Sequence, residues 1–249
     1  MNGALEAEFD TVATWTAHVA LEFGPRFHLP AACRGSGSPA ALRWLVDNLE
    51  ITRTDRMLDC GAGVGGPAAF AAEQVGVRPI LTDVQAGACR AARELFGFEV
   101  LQAGSELPLR SGAFDVAWSL GVLCTVPDHG RLLAELRRVL TDDGRLGLLI
   151  YTAAGPLSRQ PQGNNFPVLD ALPRLLDAAG LRIDAQAMLG DLGAAPADWT
   201  ASSDAVDAEL ERRHSEEPTW RTAAEQSELF GEMLAGGELV GALIVAGAV

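Results

Sequence analysis

Residues 57 to 70, Met57-Leu58-Asp59-Cys60-Gly61-Ala62-Gly63-Val64-Gly65-Gly66-Pro67-Ala68-Ala69-Phe70, constrain the fold more than any other stretch of the chain. A short apolar run ends at a carboxylate, then glycines cluster, then small residues follow. The pattern reads as a buried strand, a tight turn and the first turn of a helix. Glycines at 61, 63 and 65 let the backbone adopt dihedrals that side chains forbid and let a ligand approach closely, and the helix that follows presents its free N–H groups to that ligand. Something polar is held here.

Two readings compete at this turn. Gly61, Gly63 and Gly66 satisfy the G-x-G-x-x-G spacing of dinucleotide-binding folds, a weak signal taken alone. Asp59 separates the readings, because a carboxylate beside a pyrophosphate would repel it, whereas an apolar residue is usual there. A carboxylate suits a cationic ligand instead. S-adenosylmethionine carries a sulfonium and an ammonium and no phosphate. Through Asp59-Cys60-Gly61-Ala62-Gly63-Val64-Gly65 the chain resembles the class I S-adenosylmethionine-dependent methyltransferases of the small-molecule type. The resemblance covers about 55 to 151 with specific motifs and the rest by order of elements.

Apolar residues at Leu5, Phe9, Val12, Trp15, Val19 and Phe23 recur at helical steps, so 5 to 23 is expected to be one amphipathic helix. Gly24-Pro25 breaks it, and Leu29 to Pro39 is expected as a loop, with Ser38 as N-cap and Pro39 opening a helix to 49. Residues 1 to 50 are read as an N-terminal helical lid before an α/β domain over 51 to 249. Val77 to Thr82 is a second strand ending in Asp83, whose carboxylate can accept two hydrogen bonds from ribose hydroxyls or cap the next helix. Phe98 to Gln102, Phe114 to Ser119 and Leu146 to Tyr151 follow as strands, with a helix opened by Pro127-Asp128 and closed by a turn over Thr141 to Arg145. The alternation argues for a right-handed parallel sheet. Beyond Tyr151 come a polar loop, a helix over roughly 167 to 179 ending at Gly180, a sixth strand over Leu181 to Met188, a charged helical insertion near 200 to 236 and a seventh strand over Leu239 to Val249. The resemblance implies a Rossmann-like α/β fold: seven strands, mostly parallel, helices on both faces, and the last strand reversed and inserted between the fifth and sixth.

On this reading Asp59, Gly61, Ala62, Gly63, Gly65, Asp83, Val84, Ser105 and Ser119 contact the cofactor, S-adenosylmethionine. Ser119 ends the fourth strand, and ligands of open parallel sheets sit outside such ends. Two positions depart from the family pattern. The aspartate that reads the adenine edge in many members is Ala103 here, which leaves Ser105, backbone or water for that task. Where many members carry a histidine pair after the fourth strand, this chain has Cys124-Thr125. The base, where one is needed, is expected from the lid, as His18 or His28; His129 and His214 read as solvated, and Cys124 as a packed thiol. Trp15, Tyr151, Asn165 and Phe166 are candidate substrate contacts.

The chain has 249 residues and 48% hydrophobic content, enough for one α/β domain with a substantial core. A net charge of −14 disfavours nucleic-acid partners and favours a neutral or cationic small molecule. All nineteen basic residues are arginine, a GC-rich bacterial signature. Cys33, Cys60, Cys89 and Cys124 show no metal-ligand spacing, no secretion signal is recognisable and no run spans a bilayer, so a cytoplasmic protein with reduced thiols and no metal is expected. Oligomeric state is not legible. The expected function is methyl transfer to a small molecule, a bacterial secondary metabolite. The alternatives are a cyclisation or rearrangement on the same fold and cofactor, or a non-catalytic cofactor-binding module.

Overall fold

A computed structural model describes Gly3 and residues 7–249. The sheet has seven strands: β1 Met57–Cys60, β2 Ile80–Asp83, β3 Val100–Gln102, β4 Phe114–Leu120, β5 Leu140–Ala153, β6 Leu181–Met188 and β7 Leu239–Ala248. Their order across the sheet is β3-β2-β1-β4-β5-β7-β6. All neighbours run parallel except β7, which is antiparallel to both β5 and β6, so the last strand is reversed and inserted as expected.

The first three helices are α1 Ala13–Phe23, α2 Pro25–Ala32 and α3 Pro39–Asn48. The crossovers and the closing pair are α4 Gly66–Val75, α5 Ala86–Phe96, α6 His129–Val139, α7 Leu172–Ala178, α8 Ala197–His214 and α9 Pro218–Ala235. One face of the sheet buries Trp118, Met57, Leu149 and Leu243 against Leu42, Leu45 and Leu49 of α3 and its end, and against Phe70 of α4. The other face buries Leu58, Ala117, Leu148 and Ile244 against the leucines of α6 and α7. Apolar residues on both faces of the central strands are what a parallel sheet sandwiched between helices requires.

Several local expectations need correction. The single helix over 5 to 23 is a π-helical segment, Ala7–Val12, followed by α1; Leu5 lies outside the described residues. The expected loop from Leu29 starts later, because α2 runs through Pro30 to Ala32. A proline there removes one helical hydrogen bond, but burying Phe27, Ala31 and Ala32 outweighs it. The turn over 141 to 145 is a bulge within β5: Phe114 pairs with Leu140 and Val116 with Arg145, so three extra residues are looped out. The helix over 167 to 179 begins as a 3-10 turn, Leu169–Ala171, before α7. Helix α3, the last element of the expected lid, packs into the main core. Helical spacing showed that this helix buries one face, but not against what.

Helices α1 and α2 lie instead against α5, the glycine turn and α8: Ala17, Val19, Ala20 and Ala31 share a cluster with Val64, Ala91, Leu95, Val206 and Leu210. Close approach is enforced by missing side chains. A Cβ at Gly66 would lie on the Ala32 carbonyl and 2.7 Å from the Cys33 nitrogen, and one at Gly87 would lie on the Asp10 carbonyl and 2.6 Å from Thr14 Oγ1. The Asp10 carboxylate accepts the Gly87 N–H at the start of α5, where an anion also complements the helix dipole.

Candidate functional site

The glycine turn follows β1 at the carboxyl edge of the sheet. Gly61, Gly63 and Gly65 all have positive φ, at 74°, 54° and 85°. A β-carbon would be strained at each. The turn is held from below: the N–H groups of Gly61 and Ala62 both donate to the Thr82 carbonyl, at 2.8 and 3.0 Å, and Gly65 N–H donates to the Ala62 carbonyl at 2.9 Å. At Gly61 a Cβ would strike Val122, whereas at Gly63 it would meet no atom within 4 Å. The turn is packed on the Gly61 side and open at Gly63.

Asp83, at the end of β2, braces the same turn. Its Oδ2 accepts the Gly63 N–H at 2.8 Å and its Oδ1 accepts the Gln85 N–H at 2.8 Å. Burial raises its pKa above the usual carboxylate range, and the backbone donors offset part of that shift. Each oxygen keeps a second lone pair for a ligand donor. Asp59 is more deeply set, at 1% exposure, and in register between Leu81 and Trp118. Its Oδ2 is buried without a hydrogen-bond partner among the described residues. Desolvation pushes its pKa up to about 7; the Trp118 indole, near but without a normally formed hydrogen bond, lowers it in part, and the Asp83 charge raises it. An orphaned carboxyl oxygen with a near-neutral pKa is a receptor for a cation.

Around this pair Val84 is 51% exposed at the strand end, an apolar surface left open beside the turn. The loop after β3 comes alongside: Ala103 N–H donates to the Asp83 carbonyl at 2.8 Å, and Ser105 lies half-buried two residues on. Ala62 belongs to the turn by its backbone, while its side chain packs with Leu81, Cys89 and Ala92. Ser119 is 2% exposed and its hydroxyl donates to the Cys60 carbonyl at 2.9 Å, tying β4 to β1.

The two candidate bases pack along α5. Helix α5 starts beside Asp83 and rises away at 1.5 Å per residue, so Glu94 and Phe96 sit roughly 12 to 15 Å from its start. His18 is exposed and 3.9 Å from Glu94, and His28 packs edge-on against Phe96 with its Nε2 buried and unpartnered. Both therefore lie toward the far end of α5. Trp15 stacks flat on His214, centroids 3.8 Å apart, which joins α1 to α8. Asn165 braces the loop after β4: its Nδ2 donates to the Val126 and Pro127 carbonyls, its N–H to the Cys124 carbonyl, and its own carbonyl pairs with His129 Nε2. Histidine and asparagine reveal chemistry in a sequence, but not position.

Tyr151 and Phe166 do come together. Both are buried, and Phe230 of α9 stands between them at 4.9 and 6.1 Å between ring centroids. The Tyr151 hydroxyl donates to the Gly35 carbonyl at 3.3 Å, and burial raises its pKa well above the usual phenol. Phe230 went unread because it lies in a helix whose charged pattern hides its two aromatic contacts. The Cys124 thiol donates to the Gly121 carbonyl at 3.3 Å, and burial pushes its pKa to about 12, so it is packed rather than nucleophilic.

Residues 58–148 match the family model of a methyltransferase domain. Among curated proteins, methyltransferase GfsG of Streptomyces halstedii is 26% identical over 156 residues, which take in 55% of this chain and 56% of that protein. The chain spans about half, or less, of the length of the curated relatives it matches. Among solved structures, geranyl diphosphate C-methyltransferase from Streptomyces coelicolor A3(2), in complex with Mg2+, geranyl diphosphate and S-adenosylhomocysteine, aligns with a TM-score of 0.62 at 21% identity, over 84% of this chain and 77% of that one. The [4+2]-cyclase SpnF aligns with a TM-score of 0.67 at 19% identity, over 86% and 83%.

Proposed function

We propose that this chain, a class I S-adenosylmethionine-dependent methyltransferase by its domain match and strand order, transfers a methyl group from S-adenosylmethionine to a small molecule. The observation that carries the reading is the orphaned Asp59 oxygen beside a glycine turn braced by Asp83. Asp59 would hold the ammonium group and Asp83 the ribose hydroxyls. Val84 would cover one adenine face, with Ser105 at its edge and the backbone of Gly61, Ala62, Gly63 and Gly65 shaping the cradle. The cofactor supplies an electrophilic methyl on sulfur.

The rest is alignment and exclusion of water. Helices α1, α2 and α8 would shield the glycine turn they pack beside, and the buried cluster of Tyr151, Phe166 and Phe230 would back the substrate side. Orientation alone can lower a barrier by roughly 7 to 11 kcal/mol. With both lid histidines toward the far end of α5, the reading favours an acceptor that is nucleophilic without assistance, such as a free amine, an enolisable carbon or an acidic phenol. The arginine-only basic complement and a relative from Streptomyces support a bacterial secondary metabolite as substrate. The cysteines are all free and buried, and among the described residues no helix is long and apolar enough to cross a membrane, which supports a cytoplasmic setting.

The test is a panel of small amines, phenols and enolisable carbonyl compounds incubated with protein and cofactor. Substrate-dependent release of S-adenosylhomocysteine with a methylated product is expected. Conversion of substrate without that release would favour cyclisation, the activity named for one structural neighbour. Cofactor binding with no conversion of any compound would favour a non-catalytic module.

A further inference from the structure

A second cavity lies on the cap side. Its volume is about 440 Å3, within the usual range for small-molecule sites. The Ala7–Val12 segment, Arg34, α8 and α9 line it as an open cleft, and among the described residues five carboxylates contribute: Glu8, Asp204, Asp207, Glu211 and Glu228, of which Asp204, Glu211 and Glu228 are exposed. Among the described residues Arg34 is the single cation in that lining. Its guanidinium is shared, with Nη1 3.0 Å from Asp207 and Nη2 3.7 Å from Glu8. Asp204, Glu211 and Glu228 have no ion pair among the described residues. The Glu8 side chain keeps 24% of its surface exposed, yet its Oε2 atom is sealed from solvent and has no hydrogen-bond partner among the described residues. The cleft therefore carries more carboxylates than cations among the described residues, and one carboxyl oxygen, Glu8 Oε2, has no donor there.

We infer that this cleft binds an organic cation, an ammonium or guanidinium carried on an apolar body, as the substrate side of the methyltransferase proposed above, on which the inference rests. A metal ion fits poorly, because among the described residues no three Asp, Glu, His or Cys side chains converge closely enough to ligate one. Charges spread around a cavity suit an extended molecule. Trp220, Val12 and Ala223 supply apolar lining, and the indole face adds attraction for a cation. Burial raises the carboxyl pKa of both Glu8 and Asp207, and only Arg34 opposes the rise, so an incoming cation meets groups that gain by ionising against it. The cleft also adjoins the carboxyl edge of the sheet. Arg34 precedes Gly35, whose carbonyl takes the Tyr151 hydroxyl and lies where a Cβ at Gly121 would touch it, at 3.1 Å.

The experiment is calorimetric titration of the full chain with phenethylamine, with 2-phenylethanol as the neutral isostere, and with S-adenosylhomocysteine in parallel. Saturable amine binding is expected, at least tenfold tighter than the alcohol. Glu211→Gln with Glu228→Gln removes two exposed rim charges and breaks no ion pair among the described residues. This pair should weaken the amine at least fivefold and leave S-adenosylhomocysteine binding unchanged. The charge-matched pair Asp142→Asn and Asp143→Asn, outside the cleft, should have no effect. Equal binding of amine and alcohol, or equal loss in both pairs of variants, would overturn the inference. The two readings fail separately: S-adenosylhomocysteine binding without amine preference sinks the cleft alone, and amine preference without S-adenosylhomocysteine binding sinks the cofactor assignment alone.

Discussion

Asp59 concentrates the chemistry of the site in one carboxyl group. Buried in the sheet, it holds its proton to about pH 7, whereas in an unfolded chain it would lose it near pH 4. Its folded pKa is raised, so its contribution to stability is fully present at acidic pH and is lost as pH rises from about 4 to 7. Asp59→Asn should therefore stabilise the ligand-free protein at pH 8, on the order of 1 to 3 kcal/mol, and by less at pH 5; denaturant melts at the two pH values read the difference. Binding should show the opposite sense. A cationic ligand needs the ionised form, so affinity for S-adenosylhomocysteine should rise up to about tenfold per unit as pH increases from 5 toward 7 and then level off. In Asp59→Asn the affinity should be at least tenfold lower and the slope absent. Asp83→Ala removes the acceptor of the Gly63 and Gln85 N–H groups, and should cost about 1 to 3 kcal/mol of stability and at least tenfold in S-adenosylhomocysteine affinity. The turn and the strand end that carry the two aspartates were legible in the sequence because glycine spacing dictates their geometry. The packing partners of His18, His28 and Trp15 were not, because residue type says what a side chain can do and says nothing of which helix it will meet.

Among the elements, those governed by local rules were readable. Ser38 caps α3 and Asp128 caps α6, each accepting the expected backbone N–H, and the parallel strands follow from their apolar runs. The elements that tertiary packing decides were not readable. Helix α2 survives an internal proline because its apolar face is buried, and β5 absorbs a glycine-containing turn as a bulge because Leu140 and Arg145 both pair with β4. The same packing sets the seating of the cap. Gly66→Ala or Gly87→Ala would drive a methyl into neighbouring backbone, so each should cost about 1 to 3 kcal/mol and weaken S-adenosylhomocysteine binding by shifting the cap. Gly155→Ala, where a Cβ meets nothing within 4 Å, is the control and should change stability by less than about 0.5 kcal/mol in thermal melts.

At the scale of the molecule, a doubly covered sheet supplies the carboxyl edge, and α1, α2 and α8 pack together beside the glycine turn on that edge. The acidic balance of the chain, −14 overall, is gathered in part into the cap cleft, where sequence alone could not place it because Glu8 is separated from α8 and α9 by nearly the whole fold. The central claim is that a cationic adenosine ligand, and not a dinucleotide, occupies the glycine turn. Calorimetric titration of the purified chain with S-adenosylmethionine, S-adenosylhomocysteine and NADH tests it most directly. Saturable 1:1 binding of the first two with none of the third is the predicted result. Binding of NADH with neither of the others would contradict it, and would mean that Asp59 faces a phosphate-bearing ligand after all.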